Sequence, residues 1–416
     1  MGAVMNRLWA YARLAWQMGA YGLLGAFWLV LLHAFYEHMA PRLGYLTAHR
    51  AIANDLPCGR PECDFSVYWP AGRLALEHAF VTLYSPQLFS QAASAMLLPG
   101  SQLETFFYPP TMLLPVALIS RLPFEIGFFV WSLGLALAAV LLLRAGRLPW
   151  LVIVATLLSP AALLDLQLGQ VNIAGDALFL AGLSLTAQRP WLGGSLTGLL
   201  ACKPQIGLLA PVVFLAQRNW RQLGAFFLVV VLLCALVTLV FGFSVWGAYF
   251  TLGRSEEARM LSLPFHPLSN EGWGVSVFWM QRSMHASLHV AFILQASVSL
   301  CAAAICYWLW RYAGGGVAAL IELTVFLSLL ATPFGYCGEM VAYSAVLAAA
   351  AARRGWRIGM LDALLWLWPG ICLFVSVQTG ILVTPLVVLL AVARTWYRAG
   401  LPVPYFPGRV TVLPGS

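Results

Sequence analysis

Lys203 is the one lysine in the chain, and no other charged residue lies between Trp191 and Gln217. An ammonium held in such an apolar stretch costs at least a few kcal/mol at membrane depth, so it persists only beside a partner or a water-filled cavity. It reads as a functional cation, and the question it raises is which anion it meets. Four other groups of residues have types suited to chemistry. Asp64 opens the stretch Asp64-Phe-Ser-Val-Tyr68-Trp69-Pro-Ala-Gly-Arg73, a carboxylate followed by aromatics that suit a membrane–water interface. Gln170 and Asn172 place two amides near Asp165 and Asp176 in apolar sequence, which suggests a polar cavity rather than helix glue alone. Glu339 follows Pro333-Phe-Gly-Tyr-Cys-Gly, with Glu322 one helix earlier and Asp362 one helix later. His266, Asn270, Glu271 and Trp273 share one polar stretch and suit sugar contacts by hydrogen bonding and stacking.

Some of these residues have a plainer reading. Asp64 is a preferred N-cap residue for a helix running from Ser66 towards His78, and capping is compatible with a role as general base. Phe107-Tyr108-Pro109-Pro110 suits an interface and a helix's first turn. Glu322 reads as a packing or pairing residue in the cytoplasmic half.

The elements that must position these residues are membrane helices. The chain is 61% hydrophobic and 9% charged, with a mean hydropathy of +0.84, against about 25% charged residues in soluble domains. Apolar segments recur at 17–36, 106–121, 124–143, 150–166, 169–187, 191–203, 204–217, 222–246, 287–310, 317–332, 337–352, 359–378 and 381–394. The expectation is an all-α polytopic membrane protein, a single domain over 1–416. Roughly 11–13 transmembrane or re-entrant helices would be joined by two larger extracytoplasmic loops near 37–105 and 247–286. The first segment reads as a retained helix, since no small-residue cleavage site follows it. The net charge of +8 reflects arginines flanking helices and does not imply nucleic acid.

Arg7, Arg13, Arg218, Arg221, Arg353, Arg354, Arg357, Arg394 and Arg398 read as cytoplasmic, which sends both long loops to the outside. Arg189 and Arg218 bound 191–217, so that run goes out and returns as two half-length helices turning at Lys203-Pro204, where proline disfavours helix in the residue before it. Arg144 and Arg147 conflict with this count unless 106–121 or 124–143 is re-entrant or these two arginines face outward. Six of the eight cysteines fall in or beside apolar segments and read as small hydrophobes. Cys58 and Cys63 share a polar loop and are either a disulfide or two free thiols. No metal site and no cofactor are expected.

Taken in order, Asp64-Phe-Ser-Val-Tyr68, Phe107-Tyr-Pro-Pro110, Gly169-Gln-Val-Asn172, Lys203-Pro204 and Pro333 to Glu339 resemble the family 87 glycosyltransferases over roughly residues 15–350. The resemblance implies a GT-C fold and a sugar donor linked to polyprenyl phosphate, mannose being the best-known sugar. It also implies a lipid or glycan acceptor at the extracytoplasmic face of the cell (inner) membrane, among membrane lipids. It assigns the catalytic base to Asp64 and donor contact to Lys203. Tyr68, Arg73, Gln170, Asn172, Glu339 and His266 are the remaining expected substrate-binding residues. The family's late motif often carries an aspartate after an aromatic, where this chain has Glu339 after Cys337-Gly338. The rival expectation is a transporter or flippase using Asp165, Asp176, Lys203 and Glu322 as a pathway.

Overall fold

The computed structural model describes residues 64–97, 105–268 and 270–402, with 11, 12, 14–30, 32 and 33 of an N-terminal helix and the isolated positions 5 and 37. Cys58, Cys63 and nearly half of the first long loop lie outside the described residues. Within them the protein is helical, apart from an isolated bridge between Gly274 and Tyr336.

Among the described residues, four helices are long and apolar enough to cross a membrane: Phe124–Ala145, Trp220–Phe241, Leu288–Tyr312 and Met360–Thr379. At 1.5 Å per residue, each of these spans about 30 Å or more of hydrocarbon. A fifth span is broken, because Trp150–Leu157 and Pro160–Leu168 meet at 55°. Pro160 has no N–H to continue the first helix, and the Ser159 hydroxyl accepts the Ala162 N–H at 3.3 Å, so a new helix starts there.

Several of the expected segments are half-length. Pro110–Ile119 has ten residues, about 15 Å, half the hydrocarbon thickness. By length, then, 106–121 does not cross and 124–143 does, which removes the conflict at Arg144 and Arg147. The run 191–217 is two half-helices as expected: Pro190–Gly198, continued by a 3-10 turn over Leu199–Cys202, and then Ala210–Ala216.

The first half-helix presses directly on Trp220–Phe241. A methyl group at Gly194 would overlap the Gln222 carbonyl oxygen, and one at Gly198 would sit 2.7 Å from the Phe226 carbonyl oxygen. Gly194 and Gly198 are thus the small-xxx-small pair that lets two membrane helices approach backbone to backbone.

The two polar loops meet. The rings of Tyr84 and Tyr249 lie 5.6 Å apart, and the Thr105 hydroxyl donates to Glu256 Oε1 at 3.3 Å. The Val275 N–H donates to the Gly335 carbonyl at 2.9 Å, tying the second loop to the segment that carries Glu339. Under them sits an aromatic core in which Phe65 packs against Phe124 and Phe128 at 5.3 and 5.7 Å. Cys337 and Cys372, read from sequence as small hydrophobes, are joined as a disulfide.

A second polar cluster closes the other end of Val341–Arg353, a helix of 13 residues and so about 20 Å long. Arg394 binds Glu322 at 2.9 Å and Asp362 at 2.7 Å, with Arg353 at 3.1 Å from Glu322 and Arg398 at 2.7 Å from Asp362. The pairing role read for Glu322 holds.

The helix contact yields a test. Gly194→Ala is expected to lower stability by about 1–3 kcal/mol, the usual cost of overpacking. A Cβ at Gly224, on the same helix as Gln222, would meet nothing within 4 Å. Gly224→Ala should therefore leave the thermal unfolding midpoint in detergent unchanged or slightly raised.

Candidate active site around Lys203

The site begins at a helix break. The helix Pro160–Leu168 ends at Gly169, whose φ of +69° places it in the left-handed region. A side chain there would be strained, and its Cβ would lie 2.8 Å from that of Phe65. Trp131 Nε1 donates to the Gly169 carbonyl at 2.8 Å and holds the turn. The next helix starts at Asn172, where Asp165 supplies the anchor. Its Oδ2 accepts the Ile173 N–H at 2.8 Å and its Oδ1 accepts Asn172 Nδ2 at 2.8 Å. A fully buried carboxylate thus satisfies an otherwise orphaned helix donor and fixes the orientation of the Asn172 amide. Asp176 does the same one element away, accepting the Ala342 N–H at 2.7 Å beside the turn that carries Glu339. Both aspartates, expected to mark a polar cavity, are backbone anchors.

Lys203 enters from the break between the half-helices. Its φ of −146° and ψ of 75° are not helical, as the following proline requires. The ammonium carries three donors, and three acceptors face it: Asn172 Oδ1 at 2.6 Å, Glu339 Oε1 at 2.8 Å and Gln170 Oε1 at 3.4 Å. Lys203 and Glu339 are each only 5% exposed. The ammonium also lies 5.8 Å from the centre of the Tyr108 ring, within cation–π range.

A second layer sits behind Gln170. The Tyr68 hydroxyl donates to Gln170 Oε1 at 2.6 Å and lies 3.0 Å from the Tyr108 hydroxyl. Gln170 Nε2 donates to that Tyr108 oxygen at 3.2 Å. Burial pushes the Tyr68 hydroxyl well above its ordinary range, and the nearby Tyr108 hydroxyl and Asp64 carboxylate push in the same direction. Burial also raises Tyr108, opposed by the positive charge of Lys203 and reinforced by Asp64. Both hydroxyls therefore stay protonated and act as hydrogen-bonding groups within reach of the Asp64 charge.

Asp64 itself lies one helical turn before Tyr68, half-buried at the N-cap position of Phe65–Leu76. Its carboxylate makes no capping hydrogen bond to that helix, whose first turn is closed by the Asp64 carbonyl accepting from Val67 and Tyr68 at 3.0 and 3.1 Å. The capping role read from the sequence is therefore not filled by this side chain.

Of the expected residues, Tyr68, Gln170, Asn172, Lys203 and Glu339 form one hydrogen-bonded network, with Asp64 beside it. Arg73 and His266 stand apart. Arg73 lies five positions beyond Tyr68, about 140° around the helix, where it is exposed and stacks on Trp69 at 5.4 Å. His266 is exposed, and its Nδ1 accepts the Leu268 N–H at 3.3 Å. Tyr108, read as an interfacial aromatic, belongs to the network, and Gln205 reaches Glu339 at 3.4 Å. The residue after Lys203-Pro204 was the available signal for Gln205. Nothing in the sequence sets the Tyr108 hydroxyl apart from other aromatics beside prolines.

Chemically, the network is a buried ammonium held by two neutral amides and one carboxylate, with tyrosine hydroxyls and the Asp64 carboxylate to one side. Neither a curated protein nor a solved structure matches the chain. The family model of glycosyltransferase family 87 matches residues 106–333, more than half of the 416 residues. That stretch holds Tyr108, Gln170, Asn172 and Lys203, while Asp64, Tyr68 and Glu339 lie outside it and reach the network through the fold. The chain belongs to glycosyltransferase family 87.

Proposed function

We propose that this glycosyltransferase moves a hexose, mannose in the first instance, from a polyprenyl-phosphate donor to a lipid or glycan hydroxyl at the extracytoplasmic face of the cell membrane. The observation that carries the reading is the convergence of four other segments, those of Tyr68, Tyr108, Gln170 with Asn172, and Glu339, on the one that holds the buried lysine. The ammonium meets neutral amides at Asn172 and Gln170 and a single carboxylate at Glu339. A donor phosphate has the charge to take the place of that carboxylate.

In this scheme the acceptor oxygen attacks the anomeric carbon as the bond from that carbon to the phosphate oxygen breaks. The configuration inverts, and Asp64 takes the acceptor's proton. Polyprenyl phosphate leaves as a stable anion, so the reaction needs no general acid of the kind a glycosidase uses. It does need fixed positive charge where negative charge develops, and Lys203 would supply it. Two like-charged groups do not share one ammonium well. Glu339 would therefore turn from Lys203 towards the sugar hydroxyls as the phosphate arrives.

The extracytoplasmic placement rests on charge. The opposite end of Val341–Arg353 gathers Arg353, Arg354, Arg394 and Arg398, and arginine-rich ends face the cytoplasm. The residues a transport pathway would use are committed elsewhere. Glu322 is paired with two arginines, and Asp165 and Asp176 accept backbone N–H groups.

Purified protein in detergent, given a radiolabelled polyprenyl-phosphate sugar and an acceptor extract, should release polyprenyl phosphate and label the acceptor. Asp64→Asn should reduce that transfer at least about 100-fold, the lower range for loss of a general base, with unfolding midpoint unchanged. Full activity in that variant removes Asp64 as base.

Lys203→Met leaves Glu339 as an unpaired buried charge, which costs about 3–5 kcal/mol, so its loss of activity alone decides nothing. The double variant Lys203→Met with Glu339→Gln restores neutrality. It is expected to recover folding while transfer stays absent. Recovery of transfer in the double variant would make the lysine purely structural.

A further inference from the structure

At the arginine-rich end, well away from Lys203, the bundle holds an apolar cavity of about 300 Å³. It lies between the N-terminal helix Leu14–Val30 and the helices Val341–Arg353 and Met360–Thr379. Leu24, Trp28, Leu347 and Trp366 line it together with Asp362 and Arg394. The N-terminal helix is fastened over it by the Tyr21 hydroxyl, which donates to the Trp356 carbonyl at 2.6 Å. The outer face of that helix is lipid-like, with Leu29 and Val30 exposed.

The charge around Asp362 and Arg394 does not balance. Among the described residues, Arg353, Arg354, Arg394 and Arg398 pair with two carboxylates, Glu322 and Asp362, and Arg357, three positions beyond Arg354, is exposed. Arg394 is spent between the two acids. Arg353 and Arg398 keep 46% and 39% of their side chains exposed. Burial pushes the Arg354 guanidinium down, Asp362 opposes this, and Arg398 and Arg394 push down further. A further anion at this rim would relieve that crowding.

We propose that this cavity binds an anionic membrane phospholipid, with an acyl chain in the apolar space and the headgroup phosphate on Arg354, Arg357 and Arg398. Excess positive charge selects an anionic headgroup over a zwitterionic one, as clusters of basic residues beside membrane helices do. The cavity size lies at the lower end of the range for specific ligand pockets, about 300–1,000 Å³. Leu347, the wall residue of Val341–Arg353 nearest in sequence to Glu339, is eight residues from it, about 12 Å along the helix. Neither Lys203 nor Glu339 lines the cavity, so the proposal does not depend on the donor assignment.

The test is lipid retention by the purified full-length protein in native mass spectrometry, titrated with phosphatidylglycerol and phosphatidylcholine of identical chains. The unaltered protein is expected to hold phosphatidylglycerol about tenfold more tightly or better. Arg357→Gln with Arg398→Gln should sharply reduce that preference while retention of phosphatidylcholine stays the same, since Asp362 keeps Arg354 and Arg394 in place. Gly25 lines the cavity, and a Cβ there meets nothing within 4 Å. Gly25→Leu therefore adds bulk to the cavity wall at a position with room for a Cβ and should lower retention of both lipids. Equal affinity for the two lipids in the unaltered protein overturns the proposal, and so does undiminished retention in Gly25→Leu.

Discussion

The ion pair between Lys203 and Glu339 is the interaction around which the polar half of this membrane protein is arranged. A buried ammonium is tolerated only if its three protons are met and its charge is balanced. Asn172, Gln170 and Glu339 meet those requirements, and each must then be held in place by something else. Asp165 fixes Asn172, Tyr68 and Tyr108 fix Gln170, and Asp176 anchors the helix start beside Glu339. The distances in sequence are long, 134 residues between Gln205 and Glu339 and 102 between Tyr68 and Gln170. The lysine is therefore a constraint on tertiary structure before it is a ligand for anything.

That constraint explains why so many apolar segments are shorter than a membrane span. A polar site inside a bundle needs backbone breaks, and irregular backbone is tolerated at depth only where protein or a cavity satisfies it. The breaks at Ser159-Pro160, Gly169 and Lys203-Pro204 each have their freed groups met, by a serine cap, by Trp131 and Asp165, and by the Leu200 carbonyl that accepts the Lys203 N–H. The uninterrupted helices, such as Trp220–Phe241, stand around this broken centre and supply the hydrophobic span. Glu322 and Asp362 with their arginines form the second pole, so the molecule has a polar cluster at each end of Val341–Arg353.

Much of this was legible in the sequence because proline, glycine and charge act locally. The turn at Lys203-Pro204, the half-helices around it and the pairing of Glu322 follow from residue type and position alone. Direction around a helix was also available, and it would have separated Arg73 from Tyr68, since five residues turn the chain about 140°. Segment length would have identified 110–119 as too short to cross. What local rules do not reach are partners. Asp165 and Asp176 look alike from sequence whether they line a cavity or bind backbone N–H groups, and only the fold shows the second. Asp64 sits where a cap belongs, yet its side chain makes no cap bond. The family match stops short of Asp64 and Glu339, so their nearness to the matched residues is a property of the fold.

The most direct measurement of the central claim is a structure of the protein bound to a non-transferable phosphonate analogue of a polyprenyl-phosphate sugar. The account predicts a phosphonate oxygen within hydrogen-bond distance of Lys203 Nζ, about 2.7–3.2 Å, with Glu339 turned away from the lysine and the anomeric carbon facing Asp64. An analogue bound elsewhere, with the Lys203–Glu339 pair still closed, would contradict it.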